Sequence, residues 1–253
     1  QRQMCIRDRY QGERNAKSET AFEYDQLLAF HIKTWRDLWA KHAKLDPLSF
    51  PFYYIQVPTQ ESPTTGEWPW LRDRMRRALD LTENTGMAVC YDHGPSLHPE
   101  NKEPFGRRLA LLALANEYER KDIVPSGPLI DKVVIEGDKA TLSFHHVGGG
   151  LVSKSGDKTL KFFELAGADG KYAPAYAQIE GDTVTVQSEA IPIPLYVRYL
   201  FRKPKPNPDV SLLNAEGLPA SSFMTDNFIP KRNGGIKPAE ARRLEREKAK
   251  TKD

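Results

Sequence analysis

Two short stretches carry residue types that could do chemistry. "YQGERNAKSE", residues 10–19, contains a Gly-x-x-Asn turn from Gly12 to Asn15. Such a turn can aim a neutral amide at the oxyanion that develops when an acyl carbonyl is attacked. Removing one donor of that kind costs hydrolases on the order of 100-fold to 1,000-fold in rate. "YDHGPSLHPENK", residues 91–102, sets His98 directly before Pro99 at a helix start, where a short, preset loop suits an imidazole acting as general base. Each signal is unspecific alone: the turn is common, and a lone His after a strand is more often structural. An acyl-transfer reading also needs a nucleophile.

The elements that would position these residues alternate in period. "KSETAFEYDQLLAFHIKTWRDLWAKH" carries Phe22, Leu27, Leu28, Ile32, Trp35, Leu38 and Trp39 near i, i+3, i+4 spacing, which predicts an amphipathic helix. "FPFYYIQVP", aromatic, β-branched and bounded by prolines, predicts a buried strand. "WLRDRMRRALDL" returns to helical spacing through Trp70, Leu71, Met75, Ala78 and Leu79, and "GMAVCYD" reads as the next strand. "KEPFGRRLALLALANEYER" follows as a helix whose early Pro104 is tolerable in a first turn. This order implies parallel strands with helices on both faces. In open α/β sheets ligands bind beyond the carboxyl ends of the strands, and both chemical stretches fall at or near such positions.

From residue 129 the pattern changes. Alternating runs around Gly137-Asp138 predict a hairpin, and further strands separated by "GADG" and "EGD" make residues 129–205 an antiparallel, sandwich-like β module. Residues 206–230 read as a segment returning to pack on the body, and 231–253 as a charged, frayed tail. His145 and His146 adjoin on a strand and point to opposite faces, so they read as structural rather than as a metal pair. Gly148 to Gly150 read as a tight bend, since no Gly-Lys-Ser/Thr follows them as in a phosphate loop.

Composition excludes several classes of function. The 37 Lys and Arg against 34 Asp and Glu leave a net charge of +3, too weak to suggest nucleic acid as the main partner. The two cysteines, Cys5 and Cys90, imply neither a disulfide framework nor a structural zinc site. No apolar run approaches the roughly 18 residues of a membrane span. The opening "QRQMCIRDR" resembles the translated adapter read-through found at the ends of metagenomic reading frames. Residues 1–9 are therefore expected to be non-native, the alternative being an ordinary disordered terminus.

Beyond these readings, "YQGERNA" resembles the Trp-Tyr-Gln-Gly-Glu-Ser-Asn-Ala segment of the sialate O-acetylesterase-like carbohydrate esterases of the SGNH/GDSL hydrolase superfamily. The similarity continues in the family's order through "WRDLW", "FPFYYIQVP", "TGMAVCYD", "LHPENKEPFGRRLALLALA", "SGPLI", "HHVGGGL", "FELAGADGKY" and "AEGLPASSFMTD", from Tyr10 to about Phe228. The resemblance implies a truncated, flavodoxin-like three-layer SGNH domain over residues 10–128 that lacks its first strands. It implies Gly12 and Asn15 at the oxyanion hole, His98 as catalytic base, and Gln11 and Glu13 shaping the acyl or sugar pocket. The substrate would be an O-acetylated sugar, with no metal or organic cofactor, and the parent protein would be periplasmic or extracellular. The family's nucleophile lies in a Gly-Gln-Ser-Asn-Met type motif that this chain does not contain. The serine is accordingly expected upstream, and the chain by itself is expected to be inactive.

Two positions depart from the family. Arg14 stands where Ser is usual and either favours an anionic substrate or faces solvent; the second reading is preferred. The family often has an Asp two or three residues before the His, but Pro95 and Ser96 hold those places. Either Asp92 is brought round to His98 by the Gly94-Pro95 turn, or the enzyme works as a Ser-His dyad. His93 is an alternative base, though its place suits a pocket lining better. Two other classes of function stay open: a non-catalytic carbohydrate-binding relative, and an interaction fragment held by another chain at an open sheet edge.

Overall fold

Phe52–Gln56 is a strand in which every residue is buried, as a strand covered on both faces must be. The computed structural model describes residues 7–17, 19–44, 46–58, 67–93, 99–201 and 210–227. In chain order its first elements are β1 (Arg7–Arg9), α1 (Tyr24–Ala43), β2 (Phe52–Gln56), α2 (Trp68–Arg77), β3 (Thr85–Val89) and α3 (Glu103–Asn116). The three strands form a parallel sheet in the order β1-β2-β3, with Arg7 opposite Phe52 and Phe52 opposite Thr85.

Side-chain alternation divides the sheet's two faces. Phe52, Tyr54, Met87 and Val89 pack into the larger core with Leu28 and Ile32 of α1 and Leu71 and Met75 of α2. Tyr53, Ile55 and Ala88 pack with Phe105 and Leu112 of α3. The expected helices on both faces are therefore present. The edge strand Arg7–Arg9 has no apolar alternation to announce it; Arg7 lies with its guanidinium carbon 4.3 Å from the centre of the Trp39 ring.

Helix α1 buries only part of the expected stripe, with Leu28 and Ile32 inside. Tyr24, Leu28, Ile32, Arg36 and Ala40 face inward, whereas Leu27, Trp35, Leu38 and Trp39 are exposed. Arg36 fixes which part faces inward: its guanidinium donates to the carbonyls of Phe50 at 3.0 Å, Glu83 at 2.8 Å and Asn84 at 2.7 Å, the loops that lead into β2 and β3. A cation so paired occupies the centre of the buried face and leaves the aromatic residues at its flank.

The remaining strands are β4 (Leu129–Glu136), β5 (Lys139–His145), β6 (Leu151–Ser153), β7 (Thr159–Leu160), β8 (Phe163–Ala166), β9 (Tyr172–Pro174), β10 (Tyr176–Glu180), β11 (Thr183–Gln187), β12 (Tyr196–Tyr199), β13 (Leu212–Asn214) and β14 (Phe223–Met224). They make antiparallel sheets in the orders β4-β5-β11-β10-β7, β14-β12-β8-β9 and β13-β6. The β4–β5 hairpin turns at Gly137-Asp138 as expected, with Glu136 opposite Lys139 and Gly137 at a positive φ of 61°. The returning segment is shared between layers. It supplies β13 and β14 to the antiparallel sheets, and the Met224 N–H donates to Asp73 of α2 at 3.2 Å.

Glycines 148 and 149 serve a contact as well as a bend. The Gly149 N–H donates to Glu216 at 2.9 Å, and a Cβ on Gly148 would lie 2.0 Å from that carboxylate. The expected charged tail over 231–253 lies outside the described residues.

Candidate active site

The Gly-x-x-Asn turn forms at the carboxyl end of β1, closed by the Asn15 N–H donating to the Gly12 carbonyl at 2.8 Å. Gly12 holds φ at 150°, and an added Cβ would stand 3.2 Å from Val57 Cγ1 and 3.4 Å from the Tyr24 hydroxyl. Backbone and packing thus both call for glycine here.

The Asn15 side chain is oriented from two sides. Its Nδ2 donates to Thr20 Oγ1 at 2.8 Å, and its Oδ1 accepts from Gln11 Nε2 at 3.4 Å. Gln11 is itself held, because its Oε1 accepts from Arg9 at 2.5 Å and from the Tyr24 hydroxyl at 3.1 Å. The family position expected to shape a pocket therefore also sets the rotamer of the neighbouring amide. Glu13 is half-buried, and its charge adds to burial in raising the Tyr10 pKa. Arg14 is exposed to solvent.

The second stretch leaves β3 through a turn in which the His93 N–H donates to the Cys90 carbonyl at 3.1 Å. Asp92 is gripped there by Arg108 of α3, whose two terminal nitrogens donate to the two carboxylate oxygens at 2.6 and 2.7 Å. Arg108 also donates to the Val89 carbonyl at 2.6 Å. Burial works against the Arg108 charge, but the hydrogen bond and charge of Asp92 outweigh it and hold its pKa above the ordinary arginine value. His93 Nε2 lies 3.6 Å from Asp92 Oδ2. Burial lowers the His93 pKa first; Asp92 opposes that shift and Arg108 adds to it. The result is a neutral imidazole at pH 7.

Both turns occupy the same rim, two strand spacings or roughly 10 Å apart. Phe105 bridges them. Its ring stacks on Tyr10 at 5.4 Å and meets the His93 ring at 5.8 Å. The first turn is anchored on the α1–α2 side through Tyr24 and through the Glu67 N–H, which donates to the Ala16 carbonyl at 2.5 Å. The second is anchored on the α3 side by Arg108. Residues 94–98, with His98, lie outside the described residues, as does any contact between Asp92 and His98. Beside His93 a cleft of about 510 Å³ opens between α3 and the Glu216–Leu218 turn, lined also by Arg107 and Arg108.

Arg108 and Phe105 were not singled out from the sequence. The available signal was spacing: Phe105, Arg108 and Leu112 share one face of α3, and an arginine within an apolar stripe needs a partner across it. Cys90, the described cysteine, is fully buried, and burial pushes its thiol up to about 12, so it is not a nucleophile. Among the described residues no group of three or more His, Cys, Asp and Glu is placed to hold a metal ion. Nor is any described helix long and apolar enough to cross a membrane.

No protein-family profile matches the chain. Among curated proteins it is similar to the sialate O-acetylesterases of Homo sapiens and Pongo abelii, each 26% identical over 198 residues, covering 73% of this chain and 37% of the relative. Among solved structures it is similar to a carbohydrate acetylesterase from Xanthomonas citri, with 35% identity and a TM-score of 0.76 over 87% of this chain and 50% of that one. The chain thus spans well under half of the curated relatives it matches and about half of the solved one. The curated relatives and the solved structure are all acetylesterases by name, and by sequence and fold together the chain is a relative of the sialate O-acetylesterase-like carbohydrate esterases, matched over part of their length.

Proposed function

We propose that this chain is part of a serine-dependent carbohydrate O-acetylesterase of the SGNH type, and that residues outside it supply the nucleophile and the first strands of the α/β layer. The serine Oγ attacks the acetyl carbonyl while His98 takes its proton. The oxyanion is held by the Asn15 amide and by the backbone of the Gly12 turn. Collapse expels the sugar hydroxyl with the proton returned by His98, and water then releases acetate from the acyl-enzyme.

The observation that carries this reading is the orientation of Asn15. Thr20 and Gln11 fix its amide at the carboxyl end of β1, on the rim that also carries the turn leading towards His98. An oxyanion donor must be set before charge develops, and such bracing does that. The two hydrogen bonds from Arg108 to Asp92 favour the Ser-His dyad over a triad through Asp92, since the carboxylate is already neutralised. The cleft beside His93 mixes polar groups, among them Glu103, Arg107 and Asp122, with apolar ones such as Leu111 and Ile123, a lining that suits both the hydroxyls and the ring faces of a sugar.

The test is acetate release from an acetylated sugar by the product of the complete upstream reading frame. His98→Ala is expected to abolish turnover, and Asn15→Ala to lower kcat by about 100-fold to 1,000-fold. The chain alone is expected to show no turnover of 4-nitrophenyl acetate. Turnover by this chain that survives His98→Ala, or full activity of the complete Asn15→Ala protein, would refute the reading.

A further inference from the structure

Among the described residues Arg72 of α2 is the largest fully buried side chain and has no carboxylate partner. Its neighbour Asp73 is already taken by Arg76 at 3.1 Å and Arg77 at 2.7 Å. The Arg72 guanidinium instead meets neutral groups. Its Nε donates to Ser222 Oγ at 3.3 Å, its Nη2 faces the Leu200 carbonyl at 3.5 Å, and its carbon lies 4.6 Å from the centre of the Tyr91 ring. Among the described residues its Nη1 has no hydrogen-bond partner.

Gln56, at the carboxyl end of β2, is also fully buried. Its Nε2 donates to the Arg72 carbonyl at 2.9 Å and to Ser221 Oγ at 2.8 Å, while Ser221 donates onward to the Ser222 carbonyl at 3.0 Å. A carbonyl can only accept, so the orientation of the amide is fixed and Oε1 faces away, with no hydrogen-bond partner among the described residues. One turn before Arg72 on the same face of α2, the buried Trp68 has an indole N–H in the same condition.

A ligand serving these groups must accept from a guanidinium and an indole and also donate to an amide oxygen. A halide or carboxylate can only accept, and it would be repelled by Gln56 Oε1. Water does both and binds buried sites of this polarity. The groups lie where the two layers meet: Gln56 ends β2, Tyr91 leaves β3, and Leu200, Ser221 and Ser222 belong to the β module and its returning segment.

We propose that Arg72, Gln56 and Trp68 enclose a buried hydration site whose water keeps the guanidinium solvated beneath Tyr91 and makes Arg72 a positioning residue for the Tyr91–Asp92–His93 turn. This rests on the geometry and not on the esterase reading, so either can fail alone.

Crystals of the chain soaked in bromide, diffracting well enough to show solvent, test the site. A peak about 2.7–3.2 Å from Arg72 Nη1 and Gln56 Oε1 without anomalous bromine signal is expected. A dry contact, a direct Arg72–Gln56 bond or a bromide there overturns the proposal. Amide hydrogen exchange tests the positioning role. In Arg72→Met, exchange at the His93 N–H should rise about tenfold or more while the β4–β5 hairpin keeps its rate. Ser222→Ala removes the Nε acceptor and should give the same local pattern if Arg72→Met fails to fold. Unchanged exchange at His93, or equal acceleration throughout the chain, overturns the role.

Discussion

Gly12 shows how much one residue sets at the rim. With φ at 150° and the Tyr24 hydroxyl 3.4 Å from where a Cβ would stand, Gly12→Ala must strain the turn and push on the residue that hydrogen-bonds Gln11. We expect that substitution to cost about 1–3 kcal/mol in urea denaturation. Gly106 gives the contrast. It lies within α3, and a Cβ there meets nothing within 4 Å. Gly106→Ala should therefore stabilise by about 0.5–1 kcal/mol, through helix propensity and a less flexible unfolded chain. Equal effects of the two changes would mean that the turn is not as constrained as its geometry requires. Of the rim residues, the Gly-x-x-Asn pair was legible from spacing. The grip of Arg108 on Asp92 was not, because the two are 16 residues apart and meet only through the packing of α3 on β3.

Helix α1 illustrates the element scale. Its apolar residues are spread widely enough to cover two faces, and of the expected set Leu28 and Ile32 are buried while Leu27, Trp35, Leu38 and Trp39 stay exposed. What decides the face is Arg36, whose three hydrogen bonds fasten the loops entering β2 and β3. Charge-assisted bonds to buried carbonyls are among the stronger protein hydrogen bonds, and methionine would keep the bulk while leaving those carbonyls unserved. Arg36→Met is accordingly expected to cost about 2–4 kcal/mol by urea denaturation. A change below about 1 kcal/mol would show that the guanidinium is not what orients α1.

Across the whole molecule, the α/β layer and the β module are joined by hydrogen bonds more than by chain connection alone. Gln56 bonds Ser221, Arg72 bonds Ser222, and Arg77 bonds the carbonyls of Met224 at 2.9 Å and Asp226 at 2.6 Å. Gly127 lies at this joint between α3 and β4. A Cβ there would stand 2.0 Å from the Pro219 carbonyl oxygen, and backbone cannot swing aside as a side chain can. Heat should therefore unfold both layers in one transition. For Gly127→Ala we expect a loss of about 2–3 kcal/mol, which for a chain of this size lowers Tm by roughly 4–12 °C. Two separate transitions by calorimetry, or an unshifted Tm, would contradict the joint.

The sequence by itself determined the order of helices and strands, the change from parallel to antiparallel architecture near residue 129, the hairpin at Gly137-Asp138 and the Gly-x-x-Asn turn. Each of these is written in neighbouring residues through periodicity or turn chemistry. Tertiary structure alone decided which face α1 buries, that Arg7–Arg9 pairs as an edge strand, that Arg108 takes Asp92, and that Arg72 lies unpaired by acid beneath Tyr91. The physical reason is the same in each case. Spacing can show that a charged side chain lies within an apolar stripe, but its place is set by a partner that only the folded chain brings within hydrogen-bonding distance.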